Sequence, residues 1–127
     1  MLNVKRKKKL SLVVFGLVST MVVFAVHSYL AGVLRVFPNS GISFGLSCNL
    51  LLAIAFLALV VIMVLFWRRG DLGLMIIAVG GLVNFVDRLF FGYVRDYWYF
   101  WFFNNNLADW IIVSGVLYSV ITLWKRK

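Results

Sequence analysis

Apolar residues fill four long stretches of this chain: about Leu10 to Leu34, about Leu46 to Trp67, about Leu72 to Val86 with a continuation toward Phe91, and about Leu107 to Trp124. A helix needs about 20 residues to cross the hydrocarbon region of a bilayer. The pattern therefore predicts an all-α membrane protein with four transmembrane helices, over about 10–34, 46–67, 72–91 and 107–124. The third and fourth stretches are the shortest and end close to polar residues. Length allows one domain over residues 1–127. The basic run Lys5 to Lys9 ahead of the first stretch has the look of a signal peptide. The apolar stretch behind it is longer than the roughly 7–15 residues of a cleavable one, and three more follow, which reads as a retained helix.

The polar positions set the orientation. Lys5, Arg6, Lys7, Lys8, Lys9, Arg68, Arg69, Lys125, Arg126 and Lys127 occupy the chain ends and the second connection, whereas Arg35, Arg88 and Arg95 fall in the other two. The positive-inside rule places the larger set in the cytoplasm. Both termini are then cytoplasmic, in a multi-pass protein of the cytoplasmic (inner) membrane. Two small loops face out, Arg35 to Ser47 and about Asp87 to Asn106. The second contains seven consecutive aromatics, Tyr97 to Phe103. Such residues favour the headgroup level, and the run predicts a short hairpin or amphipathic turn lying there.

Composition agrees with a membrane rather than a soluble core: 64% of residues are hydrophobic and the mean hydropathy is +1.00, against about 45–50% apolar in soluble domains. The net charge of +9 is accounted for by topology, so nucleic acid is not an expected partner. The single Cys48 rules out an internal disulfide and a Cys-based metal site. No metal or cofactor is expected, for the chain offers no His/Cys/Glu ligand set.

Only four residues are acidic, and Asp87, Asp96 and Asp109 lie close together in sequence beside Asn84, Arg88, Asn104, Asn105 and Asn106. A carboxylate near a bilayer is costly and persists where it has a partner or a task. Asp71, behind Arg68-Arg69-Gly70, reads as a helix cap or ion-pair partner. Asp87 precedes Arg88, and an adjacent or nearby Arg would hold it ionised, so it reads as a structural ion pair. Asp109 stands where the chain re-enters the apolar phase, and a helix start stabilises the anion. Asp96 opens the aromatic run, where poor hydration raises a carboxyl pKa. Two acids facing one pocket would share a proton and divide acid and base roles. Interfacial caps are the plain alternative for both.

Four segments carry a resemblance. Asn39-Ser40-Gly41-Ile42-Ser43-Phe44 resembles the Asn-x-Gly-x-Ala-Phe motif of the lipoprotein signal peptidases (signal peptidase II). Gly80-Gly81-Leu82-Val83-Asn84-Phe85-Val86-Asp87-Arg88 is similar to their Gly-rich helix ending in Asn-x-x-Asp-Arg. Gly92-Tyr93-Val94-Arg95-Asp96-Tyr97 and Asn106-Leu107-Ala108-Asp109 resemble the boxes that carry the two catalytic aspartates. The resemblance implies that Asp96 and Asp109 form the dyad. It also implies that Asn39, Gly41, Asn84, Arg88 and Asn106 order the pocket or contact substrate, with Asp87 in support.

The implied function is an intramembrane aspartyl endopeptidase that cleaves signal peptides of lipid-modified prolipoproteins at the outer membrane face. Its partners would be the membrane-anchored peptide and lipid. Some features depart from the family pattern. The first helix carries neither the usual Asp nor the usual Lys in its apolar part; His27 is its titratable residue besides Tyr29. A lone His on an apolar helix is ordinarily a hydrogen-bonded core residue. The stretch before Asn39 is short, Val83 replaces a small residue, and Asn105 stands where the family has Phe. Two other functions remain open at this level. One is an inactive signal-peptide-binding or assembly protein. The other is a small four-helix transporter, which would need an acid within a helix rather than at its end.

Overall fold

The structure, a computed structural model, describes residues 3–39 and 48–127. Its helices are α1 (Val4–Val33), α2 (Cys48–Arg69), α3 (Leu72–Phe91) and α4 (Leu107–Lys125). All four are long and apolar enough to cross a membrane. At 1.5 Å per residue, α3 and α4 extend about 30 Å, the thickness of the hydrocarbon layer. The longer α1 starts ahead of its apolar stretch because Asn3 caps it, the side chain accepting from Lys5 N–H at 3.2 Å. The basic side chains Lys5 to Lys9 thereby sit on helix. Lys9 donates to the Trp67 carbonyl, which joins this end of α1 to the end of α2.

Short strands qualify the all-α expectation. β1 (Phe37–Asn39) pairs antiparallel with β2 (Val94–Asp96), with Phe37 opposite Asp96, Pro38 opposite Arg95 and Asn39 opposite Val94. The aromatic run folds into a hairpin of β3 (Trp98–Phe100) and β4 (Phe103–Asn105), with Trp98 opposite Asn105. β-Branched and aromatic residues favour this backbone, and pairing satisfies N–H and C=O groups where lipid offers no partner. The turn residues Trp101 and Phe102 are each 85% exposed.

α3 is the hub, packed against α1, α2 and α4. Its buried positions Gly73, Met75, Ala78, Val79, Gly80, Val83 and Asp87 form the core-facing side. Contact with α4 is a backbone-to-backbone approach. A Cβ on Gly115 would lie 2.8 Å from the Gly73 carbonyl oxygen, and one on Gly80 would lie 2.6 Å from the Ala108 carbonyl oxygen. Small residues allow this in membranes, where packing rather than hydrophobicity holds helices together. Gly81 faces α2 instead, against Leu59.

At the lower end of α3, Asp71 caps the helix by accepting from Gly73 N–H at 2.8 Å. At its other end Gly92 takes a left-handed conformation (φ 78°), which a residue without Cβ adopts freely. That reversal turns the chain into β2 and so fixes where Arg95 and Asp96 fall.

Gly115→Ala is expected to force α3 and α4 apart and to destabilise the protein by about 1–3 kcal/mol, read as a lower thermal midpoint in detergent. Gly32→Ala meets nothing within 4 Å and should leave that midpoint unchanged or slightly raised. Equal midpoints for both variants would contradict the close-approach account.

Candidate active site

Strand β2 and the start of α4 bring the acids together. Asp96 ends β2 and is 1% exposed. Asp109 is half-buried in the first turn of α4. The side chain of Asn106, fully buried between them, is the common contact. Its amide nitrogen donates to Asp96 Oδ1 at 2.8 Å and to Asn84 Oδ1 at 3.1 Å. Asn84, from the last turns of α3, donates in turn to Asp109 Oδ1 at 2.9 Å. Asn106 also caps α4 reciprocally: its Oδ1 accepts from Asp109 N–H at 3.1 Å, while its own N–H donates to Asp109 Oδ2 at 3.1 Å. This is a capping box. It holds the Asp109 carboxylate at the positive end of the helix.

Asn39 completes the set from β1, donating to Asp96 Oδ2 at 3.1 Å. Both oxygens of Asp96 thus accept from amides, which favours the anion. Burial outweighs them and holds the Asp96 carboxyl above the usual carboxylate range, with the neighbouring Asp109 charge adding to the rise. Each oxygen keeps a second lone pair, so the amides leave room for a proton. The two acids therefore occupy unlike surroundings, one buried and one at a helix start.

Of the residues singled out in the sequence, Asn39, Asn84, Asp96, Asn106 and Asp109 meet in this network. Gly41 lies outside the described residues. Asp87 sits one layer away and is paired, but the partner is Arg95 rather than the adjacent Arg88. The Arg95 guanidinium donates to Asp87 Oδ1 from Nη2 at 2.8 Å and from Nε at 3.1 Å, and the Arg95 backbone N–H donates to Oδ2 at 3.0 Å. Neighbours on a helix diverge by about 100°, so Asp87 and Arg88 face different ways. Arg88 is half-buried, and its Nε has no hydrogen-bond partner among the described residues.

Three residues in this layer were missed as functional candidates: His27, Arg95 and Tyr97. His27 is fully buried and contacts Asp87 Oδ2 through Nε2 at 2.7 Å and the Tyr97 hydroxyl through Nδ1 at 3.1 Å. The available signal was the period-2 alternation of a strand. It puts Arg95 and Tyr97 on the face opposite Asp96 once residues 94–96 are read as extended. A cavity of about 580 Å³ between α2 and α3, lined by Leu59, Met63, Trp67, Leu82 and Phe85 among others, is apolar apart from Arg68 and includes neither acid.

The family model "Signal peptidase (SPase) II" matches residues 20–125. A lipoprotein signal peptidase of Streptococcus agalactiae is 41% identical over 59 residues, which are 44% of this chain and 38% of that protein. One from Streptococcus pyogenes is 39% identical over 64 residues, 48% of this chain and 41% of that protein. The matched stretch thus spans about two fifths of these curated relatives. Among solved structures, a bacterial membrane enzyme determined by the in meso method at 1.9 Å superposes with a TM-score of 0.74 at 18% identity, covering 92% of this chain and 94% of that one. A likeness at that identity establishes the fold. With the family model matching from α1 through α4, the chain belongs to the signal peptidase II family and is a multi-pass membrane protein.

Proposed function

We propose that this protein is an intramembrane aspartyl endopeptidase that cleaves signal peptides of lipid-modified prolipoproteins. In this reading residues 1–127 form one four-helix domain with both termini cytoplasmic, and the Asp96–Asp109 end faces the outer leaflet. The observation that carries the proposal is the shared Asn106 amide, which ties a buried acid and a helix-start acid into one network.

Unlike surroundings divide the labour of two carboxyls. Asp109, with its Oδ2 on the Asn106 N–H and its Oδ1 on the Asn84 amide, is the base and takes a proton from water. Asp96, whose carboxyl burial inclines toward the protonated form, is the acid that polarises the scissile carbonyl. Water oxygen bonds to the carbonyl carbon, and the carbonyl oxygen receives the Asp96 proton. Collapse of the tetrahedral species breaks the C–N bond: the proton taken up by Asp109 passes to the leaving amine, and one hydroxyl proton returns to Asp96, which restores both carboxyls. Asn39 and Asn106 keep Asp96 oriented through the cycle. Arg88, half-buried with an Nε that no described residue satisfies, is the cation assigned to substrate contact. The aromatic hairpin would lie at headgroup depth, where a peptide anchored in the bilayer arrives sideways. The family relationship favours a lipoprotein substrate.

The direct check is cleavage of a lipid-modified signal peptide by purified protein in detergent. Asp96→Asn and Asp109→Asn should each lower kcat by about 10³-fold. Equal cleavage by both variants and wild type would refute the protease reading. Cleavage confined to a peptide lacking the lipid on its Cys would retain a protease and discard the lipoprotein substrate.

The raised Asp96 pKa predicts a pH dependence. A carboxyl that binds its proton more tightly when folded adds stability below its unfolded pKa, and loses that contribution as pH rises through the folded value. Cleavage should fall over the same upper range as the acid is lost. Asn39→Ala removes a hydrogen bond that favours the Asp96 anion, so the alkaline limb of the kcat profile should move to higher pH. A shift to lower pH would contradict the assignment of Asp96 as the acid.

A further inference from the structure

We infer that His27 and Tyr97 are positioning residues for the cleavage proposed above. They form a one-way chain of hydrogen bonds that ties the buried Asp87–Arg95 pair to the start of α4, next to both acids. The inference rests on that protease reading and assigns a role to two residues outside the dyad.

Hydrogen-bond bookkeeping fixes the direction of the chain. Asp87 accepts from the Arg95 guanidinium and from its backbone N–H, so toward His27 it is again an acceptor. His27 Nε2, 2.7 Å away, must carry the hydrogen. An imidazole that holds its one proton on Nε2 accepts at Nδ1, and the Tyr97 hydroxyl then donates to it across 3.1 Å. With its proton committed, the Tyr97 oxygen accepts from the Leu107 backbone N–H at 3.1 Å. Each polar atom along the path has a partner, and the donors and acceptors run in one consistent order.

The two ends explain why the order matters. Arg95 and Tyr97 flank Asp96, so holding both side chains on the α1 side turns the Asp96 carboxyl toward Asn106. Leu107 follows Asn106, the residue that touches both acids, and its N–H is among the helix-start donors that no helical carbonyl can satisfy. His27 is fully buried and Tyr97 is 6% exposed, so water does not compete for these bonds. Ser28 reinforces the anchor on α1, accepting from Arg95 Nη2 at 3.1 Å. His27 touches no reacting atom. Its effect passes through Tyr97 to the geometry of the two carboxyls.

The chain has one histidine, so ¹⁵N-histidine labelling reports His27 without assignment. In detergent at pH 7 the two ring nitrogens should show the Nε2–H tautomer with a hydrogen-bonded Nδ1. Tyr97→Phe should move the Nδ1 resonance and leave Nε2 nearly still. An Nδ1–H tautomer, or no response to Tyr97→Phe, overturns the chain of bonds whether or not any substrate is cleaved.

Kinetics then test the role. His27→Phe and Tyr97→Phe should each lower kcat by up to about 10²-fold, with KM within about two-fold and no greater loss in the double variant. His27→Gln, which keeps one donor and one acceptor, should recover most of the rate. Multiplicative losses in the double variant, or a change in KM alone, overturn the positioning role. Failure of wild type to cleave counts against the protease reading itself. Normal kcat in His27→Phe beside an inactive Asp96→Asn counts against His27 alone.

Discussion

The close approach of α3 to α4 is the constraint on which the rest of the structure depends. Asn84 and Asp109 have short side chains on different helices, and they meet at 2.9 Å only because the backbones nearly touch. Gly73, Gly80 and Gly115 permit that contact, with carbonyl oxygens where a Cβ would otherwise stand. In lipid the helices gain little from hiding apolar surface from one another, so close packing has to hold them. The same packing brings the amide–carboxylate network into register. A residue with a side chain at Gly80 would push away Ala108 and with it the first turn of α4, which carries Asn106 and Asp109.

Two polar layers are stacked at this end of the bundle. One holds Asp96, Asp109 and the amides of Asn39, Asn84 and Asn106. The other holds His27, Asp87, Arg95 and Tyr97. Charges this deep are tolerated only when paired and hydrogen-bonded, and the second layer meets that demand with a bidentate guanidinium and a backbone N–H on Asp87. The first layer is different in kind. Among the described residues its acids receive neutral amide donors and no ion-pair partner, which orients them without a bound cation. In the proposed reading, acids oriented in this way exchange protons during cleavage, and that contrast would separate a chemical layer from a supporting one.

Much of this was legible in the residues. Apolar length identifies helices, and four acids in so greasy a chain draw attention to their own surroundings. The raised Asp96 pKa follows from its neighbours, Val94 and the aromatics from Tyr97 onward, and the structure gives burial as its main cause. Less legible was the partner of Asp87. Adjacency suggested Arg88, but helical geometry turns that side chain away, and the left-handed Gly92 returns Arg95 in its place. The partners of His27 were hidden for a related reason. Nothing in α1 says which of its sides meets α3, so one histidine on an apolar helix carries no sign of a partner 60 or 70 residues distant in sequence. The strands were partly hidden as well, because runs of aromatic residues suit an interfacial turn as readily as a ladder.

The central claim is that the Asp96 and Asp109 carboxyls act on one reacting atom. A peptide analogue carrying a hydroxyl in place of the scissile carbonyl imitates the tetrahedral species and should bind more tightly than substrate. A crystal structure of the protein with such an analogue is the most direct measurement. The account predicts the hydroxyl within hydrogen-bond distance of both carboxyls, with Asn106 still in contact with Asp96. An analogue seated elsewhere, or a hydroxyl touching only one of the two acids, would contradict it.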